Sequence, residues 1–170
     1  MSPVRKPPVL SVATADGANG EQLAAISSLL ADVRRVLKMD VVFVSEFVAG
    51  RRIFRHVKAR AGSRHPAVGA SDDLEDTYCY RIVTGRLPQV IPDTGALQET
   101  AGLAVTHALG IGSYIGVPIM MENGEVYGTL CCFSKAPDQR LSEAAAAKLR
   151  GVAVAVAARL RKIPNVYKEG

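Results

Sequence analysis

The chain has no tryptophan, and phenylalanine and tyrosine make up only 5% of its 170 residues. A nucleic-acid-binding surface gathers lysine and arginine on one element with aromatics among them. Here 21 Lys+Arg stand against 16 Asp+Glu, a net charge of +5. The basic residues are scattered over RRVLK, RRIFRHVKAR and RLRK, and no helix-turn-helix or RNA-reading motif is present. Weak nonspecific anion binding is the most this charge implies, and nucleic acid is not expected as a partner. No apolar run reaches the ~18–20 residues that span a bilayer, so no membrane partner is expected either. The opening MSPVRKPPVLSVATADGANGEQ is basic but lacks the continuous apolar core of a secretory signal, which makes the cytoplasm the expected compartment.

Cysteine is scarce. Cys79, Cys131 and Cys132 cannot all pair, adjacent cysteines are badly placed for a disulfide, and the spacing is not that of a zinc site. Reduced thiols buried in a core are the expectation. On a regular strand Cys131 and Cys132 point to opposite faces, because the side-chain period is two.

What is present is a run of alternating patterns. Residues 1–19, with Pro3, Pro7, Pro8 and Gly17, read as a flexible leader. From Glu21 to about Met39, Leu23, Ile26, Leu29, Leu30, Val33, Val36 and Leu37 recur at helical spacing, with Asn19 as a candidate N-cap. VVFVSEFV and IFRHVKA form a hairpin over 41–48 and 52–60, turning at Gly50. LEDTYCYRIVTG reads as a helix capped by Asp72 or Asp73 and stopped by Gly85, and LPQVIPD as a short strand closed by Pro92 and Asp93. Residues 94–110 read as a loop with a short helix. A second hairpin follows, SYIGVPIMM and EVYGTLCCFS around Asn123-Gly124, a dipeptide that tolerates positive φ at both positions. Ser142 caps a last helix striped by Leu149, Val152, Val156 and Leu160. Helix, hairpin, helix, strand, hairpin, helix describes an α+β fold, an antiparallel sheet with helices packed on it.

DTYCYRIVTGRLPQVIPD (76–93) and IGSYIGVPIMMENGEVYGTLCCFS (111–134) carry a resemblance. The second is similar to the recurring GAF-domain pattern of a strand ending in Gly-Val-Pro, a glycine turn and a Gly-x-Leu strand: Gly116, Val117, Pro118, Gly124, Gly128 and Leu130. The chain therefore resembles a GAF domain over roughly residues 21–162, with a tail from 164, in the flavour found in bacterial signalling proteins. The resemblance implies terminal helices on one sheet face and, on the other, a ligand held against the segment around Leu74–His107. It also implies that the second hairpin forms the centre of the sheet, with its cysteines near the pocket floor. Pro118, lacking an amide proton, should sit at an edge or a bulge. Gly116 and Gly128 should leave room for a ligand or a closely packed helix.

Tyr78, Cys79, Tyr80, Arg81, Asp93, Thr94, Thr106, His107, Ser113, Tyr114 and Cys131 are the candidate pocket residues. Hydroxyls orient a ligand in an apolar pocket, and Arg81 can pair with a carboxylate or phosphate. The bland alternatives are a solvated Arg81, a turn-forming Asp93 and core cysteines. Cys79 lies where GAF-type free methionine sulfoxide reductases carry a redox cysteine, but TGALQETAGLAVTHALG supplies no second thiol. A haem-binding GAF domain needs a pocket histidine, for which His107 is the candidate, with His56 on a strand and His65 in a loop; a bilin-binding one needs a cysteine where this chain has Thr106-His107. The Asn-Lys-x-n-Phe-x-x-x-Asp-Glu pattern of cyclic-nucleotide-binding members is absent. The resulting expectation is a sensory module for a small molecule of unknown identity, without enzymatic activity or resident cofactor. It is expected to lack an attached output domain, to dimerise through its terminal helices and to signal to a separate protein.

Overall fold

A computed structural model describes residues 7–160, with side chains from Gly20 onward. Residues 1–6 and 161–170, the expected tail among them, lie outside the described residues. The first helix, α1, spans Pro7–Leu37 and so begins well before Glu21, taking in most of the expected leader. Pro7 and Pro8 occupy its first turn, where a missing amide proton costs no hydrogen bond. Asn19 therefore falls inside the helix rather than capping it. Lys38 then takes a left-handed φ of 56° and ends it.

Six antiparallel strands follow in the order β3-β2-β1-β6-β5-β4. They are β1 (Val41–Val48), β2 (Arg51–Ala59), β3 (Ser71–Asp73), β4 (Val90–Ile91), β5 (Ser113–Met120) and β6 (Val126–Ser134). The β1–β2 turn uses positive φ at both Ala49 and Gly50, matching the right-handed twist of the strands. In the β5–β6 turn only Gly124 has positive φ; Asn123 instead accepts the Glu125 amide on its side chain. The expected turn residues are right, but the turn is not the doubly left-handed type. The second hairpin is also not the central pair: β6 pairs with β1 at the middle of the sheet, and β5 lies one strand further out. Pro118 sits on β5 beyond the reach of the two-residue β4 and next to a register shift at Ile119/Met120, as its missing amide demands.

The sheet divides two cores. On one face α1 and α5 (Glu143–Leu160) bury Ile26, Leu30, Val33, Leu149 and Val156 against Val42, Val44, Ile115, Val117, Leu130 and Cys132. On the other, α2 (Tyr78–Val83) and the chain up to Ile111 cover Phe43, Phe54, Tyr114, Cys131 and Phe133. Cys131 and Cys132 thus fall into different cores, as the strand period requires. Each fully buried leucine or isoleucine contributes about 1.5–3 kcal/mol by leaving water.

A bulge sets the faces of β2. Its register against β1 shifts between Val44 and Ser45, leaving Arg55 as the extra residue. Arg52 and Phe54 face the second core; past the bulge the parity reverses, and Val57 and Ala59 take over that face. His56 is turned to the opposite side and partly buried, where burial first and then the Arg55 charge lower its pKa to about 4.

The two glycines of the resemblance do not open space. A Cβ on Gly116 would meet the Cys131 sulfur at 2.8 Å and Ile82 of α2 at 3.1 Å, so this glycine admits a helix. A Cβ on Gly128 would lie 1.9 Å from the backbone oxygen of Ser45, so this one admits the neighbouring strand.

Gly128→Ala should accordingly destabilise the domain by about 2–3 kcal/mol, since backbone cannot yield as a side chain can; an unchanged melting temperature would refute the close approach. Protonating His56 is disfavoured in the folded state, so acid favours unfolding. Stability should fall as pH drops from about 6.5 toward 4, by up to about 3 kcal/mol. His56→Gln should flatten that limb of a denaturant-midpoint profile, and an unaltered slope would count against it.

Candidate functional site

Thr77 positions the site's first element. Its hydroxyl accepts the Tyr80 amide at 3.1 Å and donates to the Leu74 carbonyl at 2.7 Å, so Thr77, not Asp72 or Asp73, caps α2. Leu74–Asp76, expected as the first turn of that helix, form a single 3-10 turn instead, and the candidate caps lie in β3 (Ser71–Asp73). Gly85, at φ 81°, follows the helix end as expected. Capping from Thr77 turns Tyr78, Cys79 and Ile82 inward, and all three are buried.

Residues 94–110 are more ordered than the sequence suggests: a 3-10 turn at Thr94–Ala96, then α3 (Gln98–Ala101) and α4 (Ala104–Leu109). Threonine hydroxyls tie these short pieces together. Thr94 donates to the Ile111 carbonyl at 2.6 Å and Thr106 to the Thr100 carbonyl at 2.6 Å, while the Tyr78 hydroxyl bonds Thr106. Gly110, left-handed at φ 65°, closes α4 by donating to the Thr106 carbonyl.

Between this lid and the sheet lies a small cavity, about 10 Å³, room for roughly one water. Aromatic rings of Phe43, Phe54, Tyr78, Tyr114 and Phe133 form most of its wall. The remaining polar group is Arg52, which the sequence reading passed over. Its side chain is only 4% exposed. One guanidinium nitrogen donates to the Cys79 sulfur at 3.4 Å, the other pairs with Asp72, and the group stacks 3.9 Å from the Phe54 ring. Its Nε has no partner.

A buried guanidinium requires a counter-charge. Asp72 is half exposed; the fully buried partner is Cys79. Burial raises the Cys79 thiol, but a hydrogen bond from Cys131, the Arg52 charge, and hydrogen bonds from Thr129 and Tyr114 outweigh it, and the thiol falls well below its usual range. Burial and the adjacent Cys79 push the Cys131 thiol up, so Cys79 is the member of the pair favoured to ionise. Burial and the neighbouring sulfurs also hold Tyr114 protonated, its hydroxyl 3.7 Å from Cys79. Across the sheet, burial raises Cys132 to about 12, an inert thiol. The second thiol that the 94–110 segment lacks is thus supplied by β6.

Of the candidates, Tyr78 and Tyr114 line the cavity, Cys79, Thr106 and Cys131 are buried beside them, and the others are engaged elsewhere. Ser113 is on the far face of β5, donating to the Ala136 carbonyl at 2.8 Å. Arg81 is taken by Glu99 at 2.7 Å and by the Glu75 carbonyl, fastening α2 to α3. Asp93 accepts the Gly95 amide at 3.0 Å, as a turn residue. Tyr80 packs on Phe47, and Thr94 is spent on backbone. His107 is exposed, its Nε2 3.0 Å from the Ala101 carbonyl, and is not aimed into the cavity. The signal for Arg52 was available in the period-two alternation of RRIF, where Arg52 shares a face with Phe54.

Among the described residues no group of three or more His, Cys, Asp or Glu is placed to hold a metal, and no helix is long and apolar enough to cross a membrane.

A six-stranded antiparallel sheet with terminal helices on one face and short helices over a small cavity on the other is a layered α+β architecture. The GAF domain profile matches residues 23–160, and the chain belongs to that family. Solved structures agree on the fold. A far-red cyanobacteriochrome photoreceptor is similar at 16% identity and TM-score 0.68, over 92% of this chain and 98% of its own. The GAF domain of an Acinetobacter phosphoenolpyruvate-protein phosphotransferase is 18% identical with TM-score 0.65, over 89% and 93%. The GAF region of a putative membrane protein from Geobacter sulfurreducens PCA is 18% identical with TM-score 0.68, over 84% and 95%. No curated protein matches.

The buried pair can be read directly by thiolate ultraviolet absorbance. One thiolate per chain should persist below the ordinary thiol range of about 8.5, vanish in Cys79→Ala and titrate upward in Arg52→Met. Absence of thiolate absorbance below that range in the folded wild type would refute the pairing.

Proposed function

We propose that this chain is a sensory GAF domain of bacterial cytoplasmic signalling that binds a small anionic molecule between the sheet and α2–α4. The observation that carries the reading is the unpartnered Nε of Arg52, a buried donor on an aromatic-lined cavity. A ligand carboxylate or phosphate would satisfy it, while apolar atoms pack on the surrounding rings. At about 10 Å³ the cavity is too small for a ligand larger than a water, so binding entails outward movement of the lid around Leu74–His107. The lid suits this role, because short helices joined by threonine hydroxyl bonds cost less to displace than the sheet. Several structural neighbours are photoreceptor domains, one with bound biliverdin, which supports a sensory role. Covalent attachment of such a pigment lacks its cysteine at Thr106-His107.

The output is proposed to pass through α1 and α5 to a second copy and a separate signalling protein. Val36 on α1 and Val154 on α5 are 57% and 71% exposed, apolar surface that a helix-on-helix homodimer would cover. A reductase reading fits less well: Cys79 is fully buried and does not line the cavity.

Native mass spectrometry of the protein purified from its own cells tests the proposal. A retained small acidic molecule, present in wild type and lost in Arg52→Met, is the expected result. A bare wild-type chain would count against the pocket, and a ligand retained equally by Arg52→Met would place it elsewhere.

A further inference from the structure

A second concavity lies at the end of the sheet where α1 hands over to β1. It is a cleft of about 960 Å³, walled by the start of the β2–β3 loop, the end of α4 and the β6–α5 loop. Five cations line it, Lys38, Arg60, Arg64, Lys135 and Arg140, against two carboxylates. Both carboxylates are already used. Asp40 pairs with Arg60 at 3.0 Å and accepts the Lys135 amide at 2.9 Å. Asp138 accepts from the Arg140 side chain at 3.1 Å and from its amide at 2.9 Å, contacts that hold its carboxyl below the usual range. Lys38, Arg64 and Lys135 have no carboxylate partner among the described residues, and Arg64 is held in place by donating to the Ala108 carbonyl at 3.0 Å. These cations are exposed. An uncompensated positive field in a concave site raises the local concentration of anions.

We propose that this cleft is a binding site for a small molecule bearing an oligophosphate group, separate from the cavity at Arg52. Its size falls within the ~300–1,000 Å³ of small-molecule sites. Three cations without a carboxylate partner among the described residues, on three different segments, line the same cleft, which suits a compact polyanion with several charges. Arginine offers a phosphate a bidentate fork and lysine a point charge, and Arg64 and the two lysines supply both. An extended nucleic-acid strand would want a longer basic track with stacking rings. The one aromatic residue in the wall, Phe133, is 2% exposed and cannot stack on a base.

The experiment is calorimetric titration of inorganic tripolyphosphate into the full chain at low salt, repeated at physiological salt. One site per chain is expected, weakening as salt screens the exposed charges. The double variant Lys38→Gln, Lys135→Gln should weaken it about tenfold. Lys148→Gln, on the exposed face of α5 and away from the cleft, lowers net charge without touching the site and should leave affinity unchanged. No binding, several weak sites per chain, or an equal loss in Lys148→Gln would overturn the proposal in favour of general charge attraction. Tighter binding of single-stranded DNA than of tripolyphosphate at equal phosphate concentration would overturn it in favour of a nucleic-acid surface.

Discussion

The pairing of β1 with β6 is the contact on which everything else rests. The other long ladders join strands close in sequence, and a hairpin's turn brings such strands together at little entropic cost. This one joins residues 41–46 to 128–133 and closes a loop of more than eighty residues. It is secured in two ways. Gly128 lets the backbones approach, and Ser45 and Thr129, directly opposite one another, exchange a buried hydroxyl bond of 2.7 Å. Once this register is set, each side chain of both strands has its face assigned: Phe43 and Cys131 toward the lid, Val42 and Cys132 toward the terminal helices.

The same register fixes the electrostatics. Ser45 lies 3.8 Å from the Cys79 sulfur, so the hydroxyl pair of the central ladder also touches the thiol that faces Arg52. A guanidinium in an aromatic core is costly unless it is paired, and a thiol in such a core ordinarily stays neutral. Together the two compensate each other, with Tyr114 and Cys131 as neutral neighbours. A hydrophobic pair of similar volume would serve stability as well or better. What the charged pair adds is a buried polar atom, Nε, left without a partner in a residue that lines the cavity.

Much of the architecture could be read from period alone. Alternation revealed both long hairpins, helical spacing revealed α5 and the second half of α1, and the adjacency of Cys131 and Cys132 located the sheet between two cores. Residues whose role depends on distant partners could not be read this way. Arg52 shares the period-two face of Phe54, but in RRIFRHVKAR, where most of the charge is solvated, that alternation does not show that its guanidinium meets Cys79. Arg81, Asp93 and Ser113 carry suitable chemistry for a pocket, but Glu99, the Gly95 amide and the Ala136 carbonyl claim them first. The Arg55 bulge, which reverses the parity of β2, leaves no mark in composition. The short helices of 94–110 depend on hydroxyl bonds to carbonyls across the lid, a pattern with no periodic signature.

Charge shows the same limit from the other direction. In sequence the basic residues are dispersed, which argues against a binding surface. In space, Lys38, Arg64 and Lys135, which come from three separate segments, are brought to one cleft, while both of its carboxylates are paired internally. The cleft and the small cavity share a wall, since Leu109 and Phe133 line both. Phe133 belongs to the rigid central ladder; Leu109 is the last residue of α4, a six-residue helix held by threonine bonds. A displacement of α4 large enough to open the space at Arg52 therefore alters the cleft as well. Were ligands to occupy both the cavity and the cleft, any coupling carried by this shared wall would act equally in both directions.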